Sequence, residues 1–156
     1  MEFQIEACVN RLIAKKWRIA FAESASAGLL SYRFSTVINS GEILLGGIVS
    51  YHERIKEDVL EIPRETIQRH TAESAEVTRA MARHLKQITN ADVNIALTGL
   101  TTPGGSETPE KPVGTIFIHF IFPNDELARR FEFKGSPEAI LEQALDQICQ
   151  VIIDKT

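Results

Sequence analysis

Apolar residues in this chain switch repeatedly between a helical and a strand-like period. Ile5, Cys8, Val9, Leu12 and Ile13 recur every three to four residues, which predicts an amphipathic helix ending near Lys15-Lys16. Trp17, Ile19 and Phe21 then alternate as a strand, and Leu29, Leu30, Phe34 and Val37 return to helical spacing. Asn39-Ser40-Gly41 is a turn signal, and the apolar run from Ile43 to Val49, with Gly46-Gly47 inside it, predicts a buried strand. Helical spacing resumes from His52 to Leu60 until Pro63 interrupts it. Val77, Met81, Leu85 and Ile88 mark a longer helix with Ser74 as its N-cap. Two more strands follow, over Val93 to Leu97 and Ile116 to Phe122. After the turn Pro123-Asn124-Asp125, the alternation of Leu127, Arg129, Phe131 and Phe133 predicts a strand that forms a hairpin with its predecessor. Ser136-Pro137-Glu138 has the cap, first-turn proline and first-turn acid of a helix start, and the apolar face from Ile140 to Ile152 completes that helix. Five strands interleaved with helices predict a three-layer α/β/α sandwich, and the hairpin makes its largely parallel sheet a mixed one.

The longest interruption of this pattern lies between two apolar strands. From Thr98 to Thr115 the chain runs Thr-Gly-Leu-Thr-Thr-Pro-Gly-Gly-Ser-Glu-Thr-Pro-Glu-Lys-Pro-Val-Gly-Thr. Glycines admit a ligand close to backbone N–H groups and prolines restrict the loop, so the segment reads as a pocket wall.

At 156 residues the chain suits one domain over 1–156 with a substantial core. A net charge of −4 argues against a nucleic-acid binder, which needs a basic face, but leaves room for a small ligand. Cys8 and Cys149 sit at helical spacing among apolar residues and read as buried hydrophobes, in keeping with a reducing cytoplasmic setting. The start of the chain has no basic-then-apolar signal pattern, and no apolar run reaches the roughly eighteen residues of a membrane span.

Three constellations carry candidate chemistry. Glu23-Ser24-Ala25-Ser26-Ala27-Gly28 stands where a strand gives way to a helix, a place where backbone N–H groups attract anions and hydroxyls add donors; an N-cap with small residues is the plainer reading. Tyr51 and Lys56 follow the next strand, and a buried lysine with a lowered pKa can act as a base for serine. The glycine loop, with Glu110 and Lys111, offers a backbone oxyanion hole or phosphate cradle. It is neither a Walker A loop nor a dinucleotide fingerprint. His52, His70, His84 and His119 show no metal-ligand spacing, so no metal site and no cofactor is expected.

These residues resemble a known family. Glu23-Ser24-x-Ser26-x-Gly28, Gly46-Gly47-x-Val49-x-Tyr51 with Lys56, Thr98-Gly99 followed by Pro103-Gly104-Gly105, and Pro109-Glu110-Lys111-Pro112-Val113-Gly114-Thr115 are similar to the CinA C-terminal domain, a family that includes stand-alone PncC-type nicotinamide-nucleotide amidases. The resemblance implies an α/β/α fold, self-association into a homo-oligomer, and hydrolysis of nicotinamide mononucleotide to nicotinic acid mononucleotide and ammonia by serine and lysine without a metal. It implies Ser24 as nucleophile candidate, Lys56 as base and Tyr51 as orienting partner. Glu23, Ser26, Gly28, Ser40, Thr98, Gly99, Gly104, Gly105, Lys111 and Thr115 are the substrate-binding candidates. The chain also departs from the family pattern. Ala25, Ser26 and Ala27 replace Cys-Thr-Gly, Asn39-Ser40-Gly41 replaces Gly-Ser-Ser, and Thr101-Thr102 replaces Ala-Gly. Pro137 and Leu141 stand where two arginines suited to phosphate are usual. Either Ser24 or Ser40 is then the nucleophile, and the alternative to an amidase is a homologue that binds a nucleotide-like ligand without hydrolysis. A DNA-related role finds no basic patch.

Overall fold

Alternating side chains of two central strands face two different helical layers. The computed structural model describes residues 2–156. Its elements run α1 (Glu2–Lys15), β1 (Ile19–Glu23), α2 (Leu29–Ser35), a short 3-10 turn (Ser40–Glu42), β2 (Leu44–Val49), α3 (Glu53–Asp58), α4 (Arg64–His70), α5 (Ala75–Thr89), β3 (Val93–Gly99), β4 (Thr115–Phe122), β5 (Asp125–Glu132) and α6 (Pro137–Lys155). The strands form one mixed sheet in the order β2-β1-β3-β4-β5. β1 pairs in parallel with β2 and β3, whereas β3–β4 and β4–β5 are antiparallel. Ile19 and Phe21 of β1 and Ile95 and Leu97 of β3 pack with α1, α2 and α6, and the rings of Phe21 and Phe34 lie 5.0 Å apart. Ala20, Ala22 and Ala96 face α4 and α5, where small side chains let the helices approach the sheet closely. Burying a side chain the size of Phe21 stabilises by about 1.5–3 kcal/mol, and truncation costs more because a cavity remains.

The helix starts follow their caps. Ser74 Oγ accepts from Val77 N–H and Ser136 Oγ accepts from Ala139 N–H. Cys8 and Cys149 are free and buried, with the Cys8 thiol donating to the Cys149 carbonyl. One expectation is corrected. The run Ile43 to Val49 is not a buried strand: β2 lies at the sheet edge, with Leu45 and Val49 exposed. Helical structure does break before Pro63, which serves as the N-cap residue of α4, a helix the sequence pattern did not predict.

Parallel β1, β2 and β3 all end on one side of the molecule, so their carboxyl ends gather there. Ser24 N–H donates to Leu97 O, and Ser50 N–H donates to Glu23 O, tying the three strand ends together. Ligands in open α/β sheets bind at such a place.

Candidate active site

Where β1 ends, Ser24 turns its hydroxyl toward Lys56. The lysine belongs to α3, which is capped by His52, whose Nδ1 accepts from Arg54 N–H. That short helix carries the Lys56 stem back under the strand ends, where only 1% of the residue is exposed. Its Nζ lies 2.8 Å from Ser24 Oγ and 2.6 Å from the Ser50 carbonyl, with the Tyr51 carbonyl at 3.5 Å. Burial pushes the Lys56 pKa below its ordinary value, while the charges of Glu73 and Glu53 hold it up. A lysine shifted this way has a larger neutral fraction near neutral pH and can take a proton from a neighbouring hydroxyl.

Ser24 opens into a cavity of about 220 Å³, walled by Ala25, Tyr51 and Glu73 and by the glycine loop from Gly99 to Gly105. Tyr51 is 69% exposed and lines this cavity, but its hydroxyl makes no hydrogen bond among the described residues. Glu73, from the α4–α5 connection, accepts from Ser106 Oγ at 2.6 Å and joins the loop to the helical layer. A larger hollow of about 290 Å³ beside the C-terminus of α2 is lined by residues such as Ile5, Arg33 and Val37 and contains neither Ser24 nor Lys56.

The comparisons agree with this architecture. The family model of the CinA C-terminal domain matches residues 2–155. The chain belongs to the CinA C-terminal domain family. A CinA-like protein of Desulfotalea psychrophila is 39% identical over 131 residues, covering 84% of this chain and 32% of that protein. A CinA-like protein of Thermotoga maritima is 36% identical over 135 residues, covering 86% and 33%. The chain thus spans about a third of the length of these curated relatives. The solved structure of a competence-damaged protein (CinA) superfamily protein from Klebsiella pneumoniae 700603 matches with a TM-score of 0.92 at 27% identity, covering 99% of this chain and 96% of that one. One from Escherichia coli matches at 0.88 with 28% identity, covering 96% and 89%.

Within this CinA domain, the expected binding residues divide sharply. Ser24, Tyr51, Gly99, Gly104 and Gly105 line the cavity, and Lys56 reaches it through Ser24. Glu23 is instead fully buried in the start of α2: its carboxylate accepts from the N–H groups of Gly28, Leu30 and Ser31 and from Ser31 Oγ. The helix start expected to attract a ligand anion is therefore already occupied by a carboxylate of the chain itself. Gly28 takes φ +101°, which a side chain resists; it shapes that turn and does not line the cavity. Ser26 is buried, its carbonyl accepting from Leu29 N–H.

Ser40 is corrected outright. It lies in the turn before β2, at the end of the sheet opposite Ser24, and donates to the Ser35 carbonyl. A strand of this length separates it from Ser24 by about 15–20 Å. Gly41 occupies the same remote turn, so its lack of a hydroxyl removes nothing from the Ser24 cavity. Thr98 hydrogen-bonds Thr78 of α5 and pairs with Phe117, and Thr115 donates to the Pro112 carbonyl, so both hold the loop's ends. Lys111 donates to Thr71 Oγ1, the Glu73 carbonyl and Ser106 Oγ, which anchors the loop instead of presenting a charge to the cavity. Arg33 pairs with Glu142, and Arg129 lies on the far edge strand β5, so neither replaces the arginines absent at Pro137 and Leu141. Sequence reasoning missed Glu73, which no spacing links to Ser24. It also missed Glu107, whose carboxylate accepts from Gly104 N–H at 2.7 Å and whose position just after a Gly-Gly pair was the available signal.

Proposed function

We propose that this chain is an amidohydrolase that releases ammonia from a small amide, with nicotinamide mononucleotide as the reference substrate its family suggests. The observation that carries the reading is the buried Ser24–Lys56 pair, 2.8 Å apart, opening into a cavity. Neutral Lys56 takes the Ser24 hydroxyl proton as Oγ attacks the amide carbonyl carbon. The tetrahedral oxyanion is stabilised by backbone N–H groups, Ala25 N–H being adjacent to the nucleophile and free of an acceptor among the described residues. Collapse breaks the C–N bond, Lys56 returns its proton to the leaving nitrogen, and ammonia departs. Water, deprotonated by Lys56, then attacks the Ser24 ester, releases the carboxylic acid and restores the serine. Tyr51 covers the cavity mouth, where it contacts the heterocycle of the substrate.

The absence of Ser40 from the cavity supports Ser24 as nucleophile, and the remoteness of Gly41 removes one argument for an inactive homologue. Ammonia release from nicotinamide mononucleotide and a panel of small amides tests the reading. Turnover of at least one of these amides by purified protein is expected. None, across the panel, would leave a non-catalytic binding protein as the better account.

A further inference from the structure

Among the described residues, Glu73 is the one charged residue on the wall of the Ser24 cavity; every other lining residue is neutral. It comes from the short connection between α4 and α5 and is half-buried. Its Oε2 accepts from Ser106 Oγ at 2.6 Å, and its other carboxylate oxygen has no hydrogen-bond partner among the described residues. Lys111 does not pair with it directly. The Lys111 Nζ donates to the Glu73 carbonyl, Thr71 Oγ1 and Ser106 Oγ, so the Ser106 hydroxyl stands between ammonium and carboxylate. Lys56 feels the Glu73 charge, which favours its ammonium form, so the carboxylate lies within electrostatic reach of the reacting end of the cavity. Hydrolysis needs Lys56 neutral. At that moment the cavity wall keeps a half-buried carboxylate while the ammonium it favoured has lost its charge, and a carboxylate held away from water is costly without a counter-charge. Tyr51 brings an aromatic ring to the mouth of the same cavity, and the faces of such rings attract cations.

Building on the amidase reading, we propose that Glu73 is a specificity-determining residue: its free carboxylate oxygen seats a positively charged ring, so the cavity prefers an amide carried on an N-alkylated pyridinium to the same amide on a neutral ring. The ring cation supplies the charge that Lys56 gives up, while the amide beside it is held at Ser24. The preference concerns the ring alone. A phosphate elsewhere on the ligand is compatible with it, since Thr101 and Thr102 bring hydroxyl donors to the same cavity.

The test compares nicotinamide mononucleotide with its neutral C-nucleotide counterpart, in which a benzamide ring replaces the pyridinium and the amide, ribose and phosphate are unchanged. A pyridinium also makes its amide more electrophilic. The quantity read is therefore the change between proteins in the pyridinium-to-benzamide ratio of kcat/KM, from which intrinsic reactivity and any altered titration of Lys56 cancel. Glu73→Gln keeps the length and an acceptor for Ser106 while removing the charge, and should lower that ratio about tenfold at low ionic strength. Glu73→Asp keeps the charge on a shorter side chain and should retain most of the preference. A merely structural role would slow both ligands together. A ratio unmoved in Glu73→Gln, or one that falls as far in Glu73→Asp as in Glu73→Gln, overturns the proposal. Absence of ammonia from both ligands counts against the amidase reading instead. Where either ligand yields none, calorimetric affinities for the same pair judge the proposal by themselves. Tighter binding of the pyridinium by wild type, with an advantage that shrinks in Glu73→Gln, upholds it. Equal or tighter binding of the benzamide nucleotide, an advantage unmoved by Glu73→Gln, or no binding of either ligand overturns it.

Discussion

Replacing Glu23 with alanine removes the carboxylate that organises the turn bearing Ser24. Four hydrogen bonds end on it, from Gly28 N–H at 3.0 Å, Leu30 N–H at 3.0 Å, Ser31 N–H at 2.8 Å and Ser31 Oγ at 2.7 Å. The alanine leaves three backbone donors unpaired at the start of α2, each costing about 1–3 kcal/mol when water cannot replace the lost acceptor. The space vacated by the side chain admits water and offsets part of this, so the expected loss is about 3–5 kcal/mol. For a chain of this size that corresponds to a fall in Tm of roughly 10 °C. Urea denaturation followed by circular dichroism measures it, with Ser31→Ala as the comparison. That variant loses one hydroxyl contact and keeps the three N–H bonds, for about 1 kcal/mol. A loss below about 1 kcal/mol in Glu23→Ala, or one no larger than in Ser31→Ala, would refute the assignment of Glu23 to the helix start.

Four further outcomes are expected. Hydrolysis needs neutral Lys56, so kcat/KM should rise with pH and level off at an apparent pKa below the ordinary lysine value of 10.5. Glu73→Gln removes a charge that holds the ammonium form, so a pH–rate profile should move to lower pH; an unchanged or upward shift would contradict the coupling. Gly99→Ala should destabilise by about 2–3 kcal/mol in thermal or urea unfolding, because an added Cβ would lie 2.4 Å from Ile116 Cδ1 and 2.8 Å from the Thr115 carbonyl oxygen. An unaltered midpoint would show that this close approach is not needed. His119, buried on β4, is held below its ordinary pKa of 6.5 by desolvation, against the opposing hydrogen bond to Glu126; Arg83 and Arg79 act with the burial. The unfolded chain takes up that proton more readily, so this contribution to stability is present above pH 6.5 and declines as pH falls below it. Urea midpoints at several pH values should show a weaker acid dependence in His119→Gln, and an identical one would exclude the residue as the source.

Local pattern was enough to read the strands, the hairpin and the helices other than α4, because their periods and caps are local properties, whereas the seven residues of α4 bury little beyond Ile67 and leave no clear period. Sheet order is not: the run Ile43 to Val49 looks buried, and only its place at the sheet edge exposes Leu45 and Val49. The same reason separates Ser24 from Ser40. Both are serines in turns beside strands, but Ser24 follows β1 and Ser40 precedes β2, which puts them at opposite ends of a parallel pair. Glu23 and Ser24 are neighbours in one motif, and no spacing reveals that one carboxylate serves the helix start while the next hydroxyl faces a lysine 32 residues away. Lys56 by itself resembles a solvated lysine among acids, since Glu53, Glu57 and Asp58 surround it in sequence. Its burial arises from the tertiary path of α3 under the strand ends. Glu73 and Glu107 escaped notice because charge on a loop is ordinary, and their meaning depends on which backbone groups they meet.

The rate of ammonia release by wild type, Ser24→Ala, Lys56→Ala and Ser40→Ala, on whichever amide turns over, tests the serine–lysine assignment most directly. Nucleophile and base act as a unit, so losing either should reduce kcat by about a thousandfold or more, while Ser40→Ala stays within about threefold of wild type. Retained turnover in Ser24→Ala or Lys56→Ala, or a collapse confined to Ser40→Ala, would contradict it.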